Sequence, residues 1–215
     1  FFIPFLYLLW YNNKIKIGFF GTPEYSVMIL DELYNNGYEI AFIVTAPDKP
    51  RGRNMEVSPT PAKAWGLSKG ITVFEPIKLR DESFAEKLKT YNCDVFVVMA
   101  YGKIIPDSIL NIPKYKSLNI HPSLLPEFRG SCPIETSILE DKKDTGVTII
   151  KMDSEMDHGP IVAVKNISID NWPIDRDKLG KILVKEGAEL ISQILPDWID
   201  GKIKEIDQDH SKATY

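Results

Sequence analysis

The sequence is poor in the residues that announce a metal centre, a disulfide framework or a nucleic-acid surface. Its 215 residues hold two cysteines, Cys93 and Cys132, far apart and without metal-ligand spacing. Reduced core or near-site thiols are therefore expected, with no metal and no disulfide. Positive charge is not in excess. The formal net charge is −4, so any RNA contact has to come from a local basic patch working against the bulk field. The apolar stretch Phe1–Tyr11 falls short of the roughly 20 residues that a membrane helix needs, and it lacks the basic start and cleavage site of a signal peptide. No membrane contact is expected, and the expected location is cytoplasmic, with an organellar one as the alternative. There is no initiator Met, so we read residues 1–13 as the product of an incomplete or mis-started frame, outside the fold. Glycine is scarce where a dinucleotide would need it. Phe19-Phe20-Gly21-Thr22-Pro23 carries one glycine where a pyrophosphate turn needs three, and Pro23 removes one helix-start N–H. Internal repeats are absent.

What is present fills a core: 44% of residues are apolar. Strands are expected at Lys14–Phe20, Ile40–Val44, Thr72–Phe74 and Val95–Met99, the last apolar throughout and so covered on both faces. Helices are expected at Tyr25–Asn36, ending at Gly37, at Pro61–Lys69 and at Asp81–Tyr91. The stretch Pro47–Pro61, with four prolines, reads as a loop. This alternation predicts an α/β fold, Rossmann-like, with a mostly parallel sheet wrapped by helices. Further on, strands are expected at 117–120, Val147–Met152 and Ile161–Ile169, and a short helix at Pro133–Glu140. A long helix is expected over Arg176–Trp198, with Leu179, Ile182, Leu183, Leu190, Ile191, Ile194 and Leu195 on one face. Residues 201–215 are polar and charged, with no core left to bury, and read as a linker.

Two segments concentrate the chemistry. Asn119-Ile120-His121-Pro122-Ser123-Leu124-Leu125-Pro126 follows one expected strand, and Met152-Asp153-Ser154-Glu155-Met156-Asp157-His158-Gly159-Pro160 follows another. In open α/β sheets reactions gather beyond the carboxyl ends of strands. An Asn donor, a His that titrates near neutrality and an Asp to orient it suit a reaction through a tetrahedral intermediate. Taken singly, His121 reads first as a structural histidine, and Asp157, close to Gly159, first as a turn residue; it is their conjunction around strand ends that points to catalysis.

The first of these segments, with Phe128-Arg129-Gly130 and Thr145-Gly146-Val147-Thr148-Ile149, resembles the formyltransferase family that uses 10-formyltetrahydrofolate. Four other segments are most similar to the branch of that family whose amine substrate is methionyl-initiator-tRNA. They are Phe20–Glu24, Pro47–Arg53, Ser58–Lys63 and Ala100–Pro106. The resemblance runs from about Lys14 to Tyr215, and it implies the formyltransferase fold over residues 14–200. It also implies that 201–215 leads to a small carboxyl-terminal β-barrel domain. Asn119, His121 and Asp157 would be catalytic. Folate would lie against Met99, Ala100, Tyr101, Gly102 and Ile104, against Ser123, Leu124, Leu125 and Pro126, and against Met152 and Asp153. Lys49, Arg51 and Arg53 would reach the transfer RNA. Asn54, Met55 and Glu56 stand where many relatives carry lysines, which implies a weaker electrostatic grip. His158 is a departure from the family pattern and is expected to be a solvent-facing loop histidine. Two alternatives remain: a formyltransferase for another amine (glycinamide ribonucleotide or an amino-sugar nucleotide), and a non-catalytic folate- or nucleotide-binding module.

Overall fold

The computed structural model describes residues 15–51 and 56–215. Expectations for residues 1–14 and for Arg53, within 52–55, lie outside the described residues. The architecture is α/β with mostly parallel strands and flanking helices, as the alternating pattern predicts. Contacts divide the chain into two compact units, the first ending at Lys116 and the second running Ser117–Tyr215.

In the first unit, β1 (Lys16–Gly21) pairs in parallel with β2 (Glu39–Val44) and with β6 (Val95–Met99), and β2 pairs in parallel with β5 (Thr72–Phe74). Helices α1 (Glu24–Asn35), α2 (Pro61–Ser68), α3 (Glu82–Lys89) and α4 (Asp107–Leu110) connect and flank them. Phe20, Phe42 and Phe96 are fully or almost fully buried and touch edge-on or tilted, with centroids 5.3–6.2 Å apart. Burying each contributes on the order of 2–3 kcal/mol. The rings leave no room at Gly18, where a Cβ would lie 2.6 Å from Phe96 Cδ1. One element differs from the sequence reading. Pro47–Pro61 is not all loop, because β3 (Lys49–Arg51) and β4 (Glu56–Ser58) pair as a small antiparallel hairpin. Its prolines hid the strand signal: Pro50 sits within a strand only three residues long, at a sheet edge where a missing N–H costs little.

The second unit holds β7 (Ser117–His121), β8 (Asp144–Lys151) and β9 (Ile161–Ser168), paired antiparallel, with α5 (Pro133–Leu139) and the long α6 (Arg176–Ile199). Asp175 caps α6, accepting from Asp177 N and Lys178 N. The buried face of α6 is Leu179, Leu183, Val184, Gly187, Ala188, Ile191 and Leu195; Ile182, Leu190 and Ile194 are only partly covered. Small residues set this face: a Cβ on Gly187 would come within 2.8 Å of Ile120 Cγ2 and 3.1 Å of Val147 Cγ1. The helix thus lies tightly on the Ile120 face of β7, and the opposite face is left for polar side chains.

The carboxyl-terminal segment corrects the sequence reading. Residues 202–215 do bury part of themselves: Gln208 is 5% exposed, Ile206 forms an antiparallel bridge with Ile161, and a 3₁₀ turn spans His210–Lys212. A polar segment can dock without apolar anchors when its hydrogen bonds are met by backbone groups that would otherwise be buried unpaired.

Candidate active site

Asn119 and His121 are two residues apart on β7, and the period of two along a strand aims both at one face while Leu118 and Ile120 fill the core on the other. Strand β8 fixes their register, with Asn119 opposite Ile150 and His121 opposite Thr148. Asp157 arrives from the loop between β8 and β9. Its φ of 51° is left-handed, a region that Asp tolerates better than most residues at a cost of about 1–2 kcal/mol. This backbone turn brings the carboxylate back onto β7. Asp157 Oδ1 accepts from Asn119 Nδ2 at 3.2 Å, and Oδ2 accepts from Gly130 N at 2.8 Å. The same Oδ2 lies 3.6 Å from His121 Nδ1.

The His121 side chain is 5% exposed, and its Nε2 lies 2.8 Å from Phe128 O. A carbonyl only accepts, so Nε2 carries a proton and Nδ1 is the nitrogen turned to Asp157. At 3.6 Å the Nδ1–Oδ2 pair is too long for a hydrogen bond, yet a proton at Nδ1 would sit beside a carboxylate. Among the described residues nothing donates to Asn119 Oδ1. The cluster therefore offers one amide acceptor, one imidazole edge and one carboxylate, held on a strand and two loops.

The loop after β7 is rigid from within. Thr148 Oγ1 donates to Ser123 O and accepts from Leu125 N, both inside the core. Ser123 is fully buried and its hydroxyl donates to Glu127 O, so this side chain holds the loop's shape. Leu125 is likewise buried, while Leu124 and Pro126 are half-buried. Beyond it, Arg129 is 4% exposed, and its guanidinium donates to Gln208 Oε1 and His210 Nδ1. Arg129 lies in the Phe128-Arg129-Gly130 segment but carries no sequence sign of this role, and neither Gln208 nor Thr214 does. Hydropathy carries no signal for such polar contacts.

In the loop 152–160, Asp153 is spent locally, accepting from Glu155 N and sharing 2.7 Å with His158 Nδ1. His158 also stacks on His210, with rings parallel and centroids 4.0 Å apart. The reading of His158 as a solvent-facing histidine is corrected: polar and stacking partners hold it, and its side chain is 31% exposed.

In the first unit, β6 ends in Met99, which is buried, followed by Ala100 at φ 49° and Gly102 at φ 81°. Both of the latter are exposed, as is Ile104 at 77%. Two such left-handed turns in three residues open the backbone at a strand end. Thr22 Oγ1 donates to Tyr101 O and Ser26 Oγ to Met99 O, which secure the loop from beneath. Thr22 N donates to Ser26 Oγ at 3.0 Å, so the amide that would face a pyrophosphate is already spent. The Tyr101 hydroxyl is buried without a partner among the described residues, and burial pushes its pKa up to about 12.

The hairpin carries Lys49, which is exposed, and Arg51 on β3. Its base is tied by Lys63, which contacts Asp48 at 2.5 Å and Glu75 at 2.7 Å. The Lys63 hydrogen bond holds the Asp48 carboxyl below its ordinary range. Thr60 caps α2 by accepting from Lys63 N, with Pro61 as the first helical residue. Among the described residues no group of three or more His, Cys, Asp or Glu is placed to hold a metal ion. No helix among them is long and apolar enough to cross a membrane.

The sequence model of the formyl transferase family matches residues 14–195. The chain belongs to the formyl transferase family. A curated relative, a methionyl-tRNA formyltransferase of Sulfurihydrogenibium sp., is 42% identical over 202 residues, which cover 94% of this chain. The chain spans 65% of that relative's length. Among solved structures, glycinamide ribonucleotide transformylase 1 from Symbiobacterium toebii superposes with a TM-score of 0.71 at 18% identity, covering 91% of this chain and 95% of its own. An N-formyltransferase from Helicobacter canadensis, in complex with folinic acid and dTDP-3-aminofucose, gives 0.69 at 19% identity, covering 94% of this chain and 70% of its own. These formyl transferase structures share the fold.

Proposed function

We propose that the protein transfers the formyl group of 10-formyltetrahydrofolate to the amino group of methionyl-initiator-tRNA, in the cytoplasm, for the start of protein synthesis. One observation carries the chemistry: Asn119, His121 and Asp157 converge, with Asp157 bonded to the first and 3.6 Å from the second. A neutral amine attacks the formyl carbon, the carbonyl oxygen gains negative charge, and the folate nitrogen leaves with a proton. Asn119 Oδ1 is the acceptor for an amine N–H. Its Nδ2 and the His121 ring serve the oxygen as charge develops, an arrangement that contributes about 3–4 kcal/mol per donor. Asp157 faces His121 Nδ1 and steadies the protonated imidazole while it relays the proton, a step that typically contributes about 10²–10⁴-fold. The attacking amine belongs to the substrate, so no covalent enzyme intermediate is required.

For the folate we propose contacts with the exposed strand-end backbone at Ala100, Gly102 and Ile104 and with their neighbours Met99 and Tyr101. We propose further contacts with Leu124, Leu125 and Pro126, whose loop Ser123 holds in shape, and with Met152 and Asp153. Backbone N–H and C=O groups at such loops read a flat heterocycle while apolar side chains cover it. For the RNA we propose Lys49, Arg51 and Arg53 as phosphate contacts. Support for this amine over a sugar nucleotide or glycinamide ribonucleotide comes from the 42% identity to a methionyl-tRNA formyltransferase, against 18–19% for the enzymes of other amines. The segment 201–215, docked as it is, would lead on to a further domain. The test presents the full chain and 10-formyltetrahydrofolate with three amines: charged initiator RNA, glycinamide ribonucleotide and an amino-sugar nucleotide. Formylation of the RNA alone is the expected result. Transfer to either small amine at a higher kcat/KM would overturn the choice of substrate.

A further inference from the structure

We propose that the carboxyl-terminal segment 206–214 is a strap that sets the geometry of the active site, with Gln208 and Thr214 as positioning residues. The inference rests on the formyl-transfer reading for its kinetic consequence, but not for its structural one.

The segment grips both loops that orient the cluster. On one side, Thr214 holds residues 126–129 through three bonds. Its Oγ1 accepts from Phe128 N at 2.8 Å. Its carbonyl accepts from Arg129 N at 2.8 Å, and its own N–H donates to Pro126 O at 3.2 Å. Phe128 is a non-glycine residue at φ 59°, a conformation that persists only where its surroundings impose it. Its carbonyl is the acceptor that fixes the His121 imidazole. On the other side, Gln208 Nε2 donates to Asp157 O at 2.9 Å and to Gly159 O at 2.7 Å. Its Oε1 accepts from Arg129 Nε and Nη2 at 3.2 and 2.7 Å. Every hydrogen-bonding site of this amide is used. Only one orientation fits, because the guanidinium can only donate and the two carbonyls can only accept. One buried side chain therefore couples the loop that aims His121 to the loop that carries Asp157.

Two substitutions separate this role from simple anchoring. Gln208→Glu keeps an acceptor for Arg129, and even strengthens it, but turns an oxygen toward the Asp157 and Gly159 carbonyls. If Gln208 merely anchors Arg129, the variant behaves as wild type. If it positions Asp157, kcat falls by about 10-fold or more while KM for the folate changes less than about 2-fold. Thr214→Val removes the acceptor for Phe128 N, and Thr214→Ser restores it.

The experiment measures, in the full chain, kcat and KM for formyl transfer together with hydrogen exchange of the His121 Nε2–H by NMR. Exchange should quicken about 10-fold in Thr214→Val and return to the wild-type rate in Thr214→Ser. Wild-type exchange in Thr214→Val, or wild-type kcat in a folded Gln208→Glu, would overturn the strap. A wild-type protein without formyl transfer would instead overturn the proposed function, and the strap would then be judged on exchange alone.

Discussion

Gly159 lies directly against the carbonyl of Lys151, where a Cβ at position 159 would overlap the Lys151 oxygen. The contact closes the base of the loop that carries Asp157, where Lys151 N also donates to Pro160 O. A side chain at 159 has to push the loop off the end of β8, and Asp157 with it.

Gly159→Ala is therefore expected to lower formyl transfer by at least about 10-fold, since a displacement of about 1 Å at reacting groups costs about 10²-fold. Stability should also fall, by about 1–3 kcal/mol, the range for overpacking. Chemical denaturation and steady-state kinetics on the same preparation check both. Wild-type kcat in a folded Gly159→Ala protein would show that the loop base does not govern Asp157.

Alkaline pH should weaken the fold through two buried acids. Burial pushes the Cys93 thiol up to about 12 and the Tyr101 phenol up to about 12. In the unfolded chain they ionise near 8.5 and 10. The folded state thus keeps protons that the unfolded state releases, and stability falls as pH rises. This contribution is complete below about pH 8.5 and is lost progressively toward about 12. Melting temperatures of wild type and Cys93→Ala across that interval should converge as pH rises. Parallel curves would contradict the assignment. Tyr101→Phe, which deletes a buried hydroxyl without a partner, should melt no lower than wild type, because an unmade buried hydrogen bond costs about 1–3 kcal/mol.

Much of the fold was legible because its signals are local. The apolar β6, Gly37 at the end of α1, and Thr60-Pro61 at the start of α2 each mark an element by residue type. The candidate site was anticipated through family resemblance and through the placement of Asn119, His121 and Asp157 near two expected strand ends; their meeting depends on the turn at Asp157, which has no sequence signal beyond the nearby Gly159. Other features depend on contacts distant in sequence. Thr214 meets Phe128 across 86 residues and Gln208 meets Arg129 across 79; a polar segment gives no hydropathic sign of docking. Gly187 and Ala188 mark the buried face of α6 by being small, so a search for large apolar residues placed that face too close to Ile182, Leu190 and Ile194. The hairpin at 49–58 was obscured by its prolines.

The basic residues of the 47–61 segment supply a test of the RNA substrate. Arg53→Ala should raise KM for charged initiator RNA, and the slope of log affinity against log salt should fall by about one phosphate contact. Folate affinity should stay the same, because Arg53 is none of the residues proposed for folate contact. Superimposable salt curves for wild type and Arg53→Ala would remove Arg53 from the RNA interface and leave the folate chemistry standing.

His121 should contribute to stability as well as to rate. Its side chain is 5% exposed and bonded to Phe128 O. His121→Ala leaves that carbonyl unpaired in the core and should cost about 1–3 kcal/mol. Asn119→Ala and Asp157→Asn, at less buried positions, should cost less. Urea denaturation of the three variants gives the order, and a His121→Ala protein as stable as the other two would contradict the burial argument.

The most direct measurement of the central claim is single-turnover transfer of labelled formyl from 10-formyltetrahydrofolate to charged initiator RNA, in wild type, Asn119→Ala, His121→Asn and Asp157→Asn. The account predicts transfer by wild type and a loss of at least about 10²-fold in each folded variant, with folate affinity within a few-fold of wild type. A folded Asp157→Asn protein that transferred formyl at more than half the wild-type rate would contradict it.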